Sequence, residues 1–282
     1  MDPTRPPSSV VYLYGIVPAG QAVPGRDGFV AGDVALQDVM AIADLLPAGE
    51  FTGAALEARL QDMEWVTAQA RRHTTVLESA MEHGPVVPAR LCTLFSSPAA
   101  LRDFLVGSAD GLRETLERLR GRREWSLKIY CDEARLREAC AAESTAGEPG
   151  GQPAEGGSAG MNWMLKKRRD ALLEDRVIER SEQVACSVFD EMASLVEDIR
   201  ARPVLTEAAS GVAEPMILNA ALLVSIEGEQ AMQAAVEEWA AELEGDGYRL
   251  ALSGPWPSFT FCEPEQADGD AALDEFEVGS PG

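Results

Sequence analysis

A chain of 282 residues with 46% hydrophobic side chains is long enough for two ordinary domains and can bury a core, which excludes wholesale disorder. Its formal charge of −23, from 24 basic and 47 acidic residues, would repel a nucleic-acid backbone or an anionic membrane over most of the surface. The longest apolar run, Ile217 to Ile226, is half the ~20 residues a membrane-spanning helix needs, and the polar opening MDPTRPPSS lacks a secretory apolar segment, so a cytoplasmic protein is expected.

The elements follow in chain order. Val10–Val17 is rich in β-branched and aromatic residues and is closed by Pro18 and Gly20, which predicts a strand. After a Gly/Pro loop, Val34–Leu46 reads as one or two more strands with Gln37 and Asp38 as a turn, although a helix stays open there. From Thr52, an N-cap candidate, apolar residues recur every three or four positions (Leu56, Leu60, Met63, Val66, Ala70, His73, Leu77, Ala80), predicting one helix that Gly84-Pro85 ends. An extended segment, Val86–Phe95, leads to a second helix that starts after Ser97-Pro98 and carries Leu101, Leu105, Leu112, Leu116 and Leu119 on one stripe.

Glu124–Cys131 alternates as a strand, and Asp132–Ala142 is helix-like. Ser144–Gly160 holds six glycines and two prolines in 17 residues without a large apolar side chain, the composition of a flexible insertion. The longest helix is expected from about Met161 to Arg200, with Leu173, Val177, Val184, Val188, Met192, Leu195 and Ile199 as its apolar stripe and Pro203 as its stop. Short strands at Val204–Thr206 and Met216–Ile226, a helix at Glu229–Leu243, and a final strand or strand pair at Tyr248–Ser253 and Ser258–Cys262 complete the chain. From Glu124 onward the order β, α, β, β, α, β is the split arrangement called ferredoxin-like.

Chemistry-bearing motifs are scarce. The five cysteines are scattered without a C-x-x-C pair, which argues against a disulfide scaffold or a structural zinc site. No phosphate-binding glycine loop and no G-x-S-x-G elbow is found. His73 lies on the apolar face of its helix and is expected to be a core residue with both ring nitrogens bonded, while His83 sits at a helix end where an imidazole caps carbonyls. Arginines 118, 120, 122 and 123 and the run Lys166–Arg169 are expected to pair locally and cover helix ends. The acidic stretch 263–282, with seven acids and no base, reads as a solvated tail and not as a calcium loop.

Ser253-Gly254-Pro255-Trp256-Pro257-Ser258-Phe259-Thr260-Phe261 is the most informative segment. Two prolines flank a tryptophan, so two backbone donors are missing and the chain is held stiff, as befits a sheet edge. Trp256, Phe259 and Phe261 either pin the last strand over the core or form an apolar recognition ledge, and both roles remain open.

This segment resembles the G-P-W-P-P-Y-S-F motif of the GvpF/GvpL gas vesicle family, with one proline lost and Tyr replaced by Phe. Tyr12–Val17 resembles that family's YLYGIV start. His73 with Val76-Leu77, then Val87–Phe95, resembles its H-x-x-V and V-L-P-x-R-F-G-T-x-F segment, with Leu91 and Cys92 in place of Phe-Gly. Glu124–Lys128 is similar to E-W-x-x-K, and Leu218–Val224 to L-N-A-A-x-L-V. The resemblance implies an α+β fold in two domains: a distinctive N-terminal domain over 1–121, and a modified ferredoxin-like domain over 122–262 that carries the flexible insertion 144–160. The acidic, disordered tail 263–282 would follow.

It further implies an accessory role in building the gas vesicle shell, located in the cytoplasm and at the vesicle. The chain would bind the small hydrophobic main shell protein and other accessory proteins, with no enzymatic activity, no cofactor and no metal. The candidate partner-binding residues are Trp256, Phe259, Phe261, Arg90 and Trp125. A minor structural component of the shell, or a small-molecule-binding ferredoxin-like protein, are the alternative readings.

Overall fold

The apolar run near the start forms a strand, β1 (Ser9–Pro18), buried along nearly its whole length. The computed structural model describes residues 9–23, 35–36, 38–146 and 159–262. β1 reads as continuous hydrophobic sequence because both of its faces are covered. Helix α3 (Met63–Met81) presents Leu77 and Ala80 to Val10, Tyr12 and Tyr14, while α4 (Pro98–Leu119) presents Leu101 and Leu105 to Val11 and Leu13. A β-bulge between Leu13 and Gly15 reverses the alternation, so Ile16 joins the α4 side and Val17 the α3 side. Gly15 admits no side chain: a Cβ there would stand 2.9 Å from both Leu77 Cδ2 and the Val87 carbonyl oxygen.

Around β1 lie β2 (Ala35–Leu36), β3 (Val39–Pro47), β4 (Val87–Pro88) and β5 (Leu94–Phe95). The antiparallel order is β2-β3-β1-β4, with β5 also paired to β1. Two short helices, α1 (Ala48–Phe51) and α2 (Gly53–Leu60), precede α3. The helix expected to run unbroken from Thr52 is therefore interrupted. Asp62 accepts from the amides of Glu64 and Trp65 at 3.0 and 3.3 Å, and this cap starts α3 afresh. Thr52 caps nothing; its hydroxyl donates back to the Ala48 carbonyl at 2.7 Å.

The second sheet is built from β6 (Arg122–Cys131), β7 (Asp198–Ala201), β8 (Met216–Ser225) and β9 (Tyr248–Trp256), antiparallel in the order β7-β8-β6-β9. Helices α5 (Glu133–Ala146), α6 (Ala159–Leu195) and α8 (Glu229–Leu243) cover one face, where Leu136, Val188, Met192, Met232 and Val236 pack on Leu127, Ile129, Leu222 and Val224. A single turn, α7 (Glu207–Ser210), precedes β8, and another, α9 (Phe259–Cys262), follows β9.

Three expectations shift here. α6 stops at Leu195, and Ile199 sits in β7 paired with Leu222. The strand expected at Val204–Thr206 is this earlier one, because Pro203 can only pass its carbonyl to the Asn219 side chain, at 2.8 Å. Ser258–Cys262 forms a helical turn in place of a strand.

On the sheet's other face, Ala221 and Leu223 meet Leu119 and Phe261, joining the two halves of the molecule. The result is a mixed helix-and-sheet fold with two antiparallel sheets. Residues 147–158 of the glycine-rich stretch and the acidic segment 263–282 lie outside the described residues.

Candidate functional site

β9 ends in an irregularity that the sequence dictates. Ser253 stands opposite Ser126 and Trp256 opposite Glu124, so Gly254-Pro255 is bulged out of register. Gly254 has φ +144, and a Cβ there would lie 3.0 Å from Trp125 Cδ2 and 3.1 Å from the Glu124 carbonyl oxygen. Only glycine lets the strand cross the Trp125 ring this closely. Pro255 and Pro257 bring no amide hydrogens, so the edge cannot extend its ladder beyond Trp256.

The two outer aromatics of this segment stay in solvent. Trp256 is 41% exposed and Phe259 42% exposed. The Trp256 indole Nε1 donates to Ser253 Oγ at 3.3 Å, which fixes its ring. Both residues line a cleft of about 340 Å³ whose floor is polar: Glu124, Ser126 and Lys128 from β6, Ser253 from β9, and Arg202 beyond β7. Thr74 of α3 closes one side, so both halves of the molecule contribute.

Glu124 is the buried anchor of the cleft. Its carboxylate accepts from the Thr260 amide at 3.0 Å and from Thr260 Oγ1 at 2.7 Å. Burial pushes its carboxyl above the usual carboxylate range, against the opposing pull of Thr260 and of Arg202 and Arg200. Arg200 Nη1 donates to the Thr260 carbonyl at 2.8 Å, and its guanidinium stacks 5.1 Å from the Phe261 ring centre. The Arg118 guanidinium donates to the Phe261 carbonyl. Four residues of α9 are thus held by three charged side chains. Arg202 is less well served: its Nη2 lies 3.8 Å from Glu124 Oε1, beyond hydrogen-bond range, and among the described residues its buried Nε finds no acceptor.

The sequence candidates separate accordingly. Trp256 and Phe259 come together at the rim. Phe261 is fully buried in the seam, and Trp125 is 8% exposed on the helix-covered face, where its Nε1 donates to Glu229 Oε1 at 3.1 Å. Neither presents a surface to a partner. Arg90 is exposed on the turn between β4 and β5, apart from the residues lining the cleft. Sequence reasoning missed Glu124, Lys128 and Arg202. The alternation of β6 carried the signal for two of them, since Glu124, Ser126 and Lys128 must share the face opposite Trp125. Nothing local marks Arg202.

His73 is a core residue, as its position predicts. Nδ1 lies 3.0 Å from the Tyr12 hydroxyl and Nε2 2.9 Å from the Ala89 carbonyl oxygen. The carbonyl can only accept, which assigns the ring proton to Nε2; Tyr12 then donates to Nδ1 and receives the Cys92 amide at 3.2 Å. Burial holds the imidazole below its ordinary value, and pushes the Tyr12 phenol up to about 12. Cys92 adopts φ 62, the left-handed conformation a glycine would take freely. His83 Nδ1 caps the Ser79 carbonyl at 3.1 Å. Of the arginine group, Arg120 pairs locally, with Glu117 at 3.0 Å, whereas Arg122 with Glu197 at 3.3 Å and Arg123 with Glu229 at 3.5 Å reach across the fold, contrary to the expected local pairing.

Among the described residues no helix is long and apolar enough to cross a membrane. A family model described as gas vesicle synthesis protein GvpL/GvpF matches residues 10–263. Gas vesicle protein L of Streptomyces sp. (strain CB03234) is 28% identical over 231 residues, covering 82% of each chain. Gas vesicle protein L of Haloferax mediterranei is 23% identical over 211 residues, covering 73% of this chain and 63% of its own.

Two crystal structures share the fold. GvpF from Anabaena sp. PCC7120 superposes with a TM-score of 0.62 at 22% identity, covering 94% of this chain and 100% of its own. GvpF from Microcystis aeruginosa gives a TM-score of 0.59 at 20% identity, covering 90% and 99%. With the family model matched across both sheets and the cleft between them, the chain belongs to the GvpL/GvpF family of gas vesicle proteins.

Proposed function

We propose that this protein is a non-enzymatic assembly factor that binds the hydrophobic main shell protein, and other accessory proteins, while gas vesicles nucleate and grow. The observation that carries this reading is the pair of half-exposed aromatics, Trp256 and Phe259, fixed on a donor-poor sheet edge above a polar floor. A rigid aromatic loses little conformational entropy on binding, so it is an efficient anchor for an apolar subunit. The Arg202 guanidinium, which lines the cleft with its Nη2 3.8 Å from Glu124 Oε1, can take a carbonyl or carboxylate of that subunit and fix its orientation. An acidic, highly soluble carrier would keep greasy subunits from aggregating before they polymerise.

We read the two sheets as two domains, 1–121 and 122–262. The second is a modified ferredoxin-like unit, a reading supported by its strand order β7-β8-β6-β9 and by helices on one face. Neither a cofactor nor catalytic chemistry enters this function, and the protein would work in the cytoplasm at the growing vesicle. The test is capture of co-expressed shell protein by the tagged chain. Trp256→Ala, folded by circular dichroism, is expected to weaken capture by about tenfold or more, the effect of losing one anchor. Equal capture by wild type and by a Trp256→Ala/Phe259→Ala double variant would remove the cleft from the account.

A further inference from the structure

Among the described residues, no element packs over the side chains of Trp163, Met164, Leu165 and Leu172 in the first third of α6. α6 runs 37 residues, yet every residue from Gly160 to Leu172 is exposed. Trp163 is 63% exposed, Met164 66%, Leu165 58% and Leu172 56%. At ~100° per residue, Met164, Leu165 and Leu172 lie roughly opposite the stripe of Leu173, Val177 and Val188 that packs on the sheet, while Trp163 continues that stripe past the end of the core. A helix with large apolar side chains on both sides is ordinarily a buried one. The neighbouring stretch 147–158 holds no large apolar residue.

Between the apolar side chains stand Lys166, Lys167, Arg168 and Arg169, spread around the helix, with Lys167 Nζ 5.3 Å from the Trp163 ring centre. On a chain of net charge −23 this arm is a basic, apolar island. Two such arms would repel each other, so the complement must be acidic and apolar. The chain itself contains that complement: residues 263–282 carry seven acids and no base, with Leu273, Phe276 and Val278 interleaved among Asp274, Glu275 and Glu277.

We propose that the α6 arm, around Trp163–Leu172, docks the acidic segment 263–282 of a second copy of this chain. Reach favours a second copy over the same one. Cys262 packs at the seam beside Leu119, Ala221 and Leu223, and the Leu195 end of α6 is there too, since the Glu197 amide bonds the Leu223 carbonyl at 2.9 Å. From Leu195 back to Trp163 is 32 residues of helix, ~48 Å. Phe276 lies 14 residues beyond Cys262, ~49 Å when drawn out to the limit, so within one copy it can meet the Leu172 end of the arm, 23 residues or ~35 Å from Leu195, but can touch Trp163 only at full stretch. Two copies exchanging these segments reciprocally make a closed pair.

Sedimentation velocity of the full chain from about 1 to about 200 μM, at low and high salt, tests this in the affinity range that such contacts give. The expected result is a mass rising toward double at low salt and falling back as salt screens the pairing. Reversing the arm (Lys166→Glu, Lys167→Glu, Arg168→Glu, Arg169→Glu) or the segment (Asp268→Lys, Asp270→Lys, Asp274→Lys, Glu275→Lys) should abolish pairing singly, and mixing the two reversed chains should restore it. A full chain that stays single at the top concentration overturns the proposal, as does pairing that survives either reversal. A single chain whose arm instead binds vesicles of phosphatidylcholine and phosphatidylglycerol overturns it in favour of a lipid surface.

Discussion

Phe259 and Phe261 are two residues apart and share a chemistry, yet the fold gives them opposite surroundings, and a pair of alanine variants measures the difference. Phe261 is fully buried against Leu119, Ala221 and Leu223, with Arg200 stacked on its ring. Truncating a buried phenylalanine costs about 3–5 kcal/mol, and losing the cation–π contact adds up to about 1 kcal/mol. The main-chain ties of α9 to Glu124, Arg200 and Arg118 survive the substitution, so the lower end, about 3 kcal/mol, is expected. Because α9 has only four residues, any larger penalty is capped by the turn letting go of the seam.

In urea, with a slope of about 3 kcal/mol/M for a chain of this size, Phe261→Ala should lower the midpoint by about 1 M. Phe259, 42% exposed, should cost under about 1 kcal/mol when truncated, and under the proposed function its loss should weaken shell-protein capture. Equal destabilisation by the two variants, or a shift under about 1 kcal/mol for Phe261→Ala, would refute the assignment of one ring to the seam and the other to the rim.

Glu124→Ala strands the Thr260 amide and hydroxyl without their acceptor and should cost about 2–4 kcal/mol, read as lost hydrogen-exchange protection at α9; unchanged protection contradicts the anchor role. His73, held neutral by burial, binds its proton less readily folded than unfolded. Its share of stability is therefore intact above pH ~6.5 and falls by up to about 1.4 kcal/mol per pH unit as pH drops toward the lowered folded value. Imidazole resonances of His73 that titrate at or above the ordinary value in the native protein would contradict this. Gly254→Ala forces a Cβ to 3.0 Å from Trp125 at φ +144 and should cost about 2 kcal/mol or more; a melting temperature equal to wild type would show that the crossing is looser than described.

Much of this architecture is legible locally. β1, α4 and β6 follow from runs, caps and alternation, because Ser97 followed by Pro98, or the alternating apolar and polar residues of Glu124–Cys131, act within a few residues of themselves. The Cys92 substitution likewise marked the one non-glycine residue among those described that adopts positive φ.

What the tertiary structure decided is which of several apolar surfaces meets a partner from far away in the chain. Read as a strand, Phe259 and Phe261 would share a face; as a helical turn they stand ~200° apart, and Arg200 and Glu124, 61 and 137 residues upstream of Phe261, select the turn. The reversal of alternation at the Leu13/Gly15 bulge, the relocation of β7 and the polar floor of the cleft share that origin. Periodicity records how apolar each face is. Only long-range packing settles which face is covered, because the free energy of burial belongs to the pair of surfaces and not to either one.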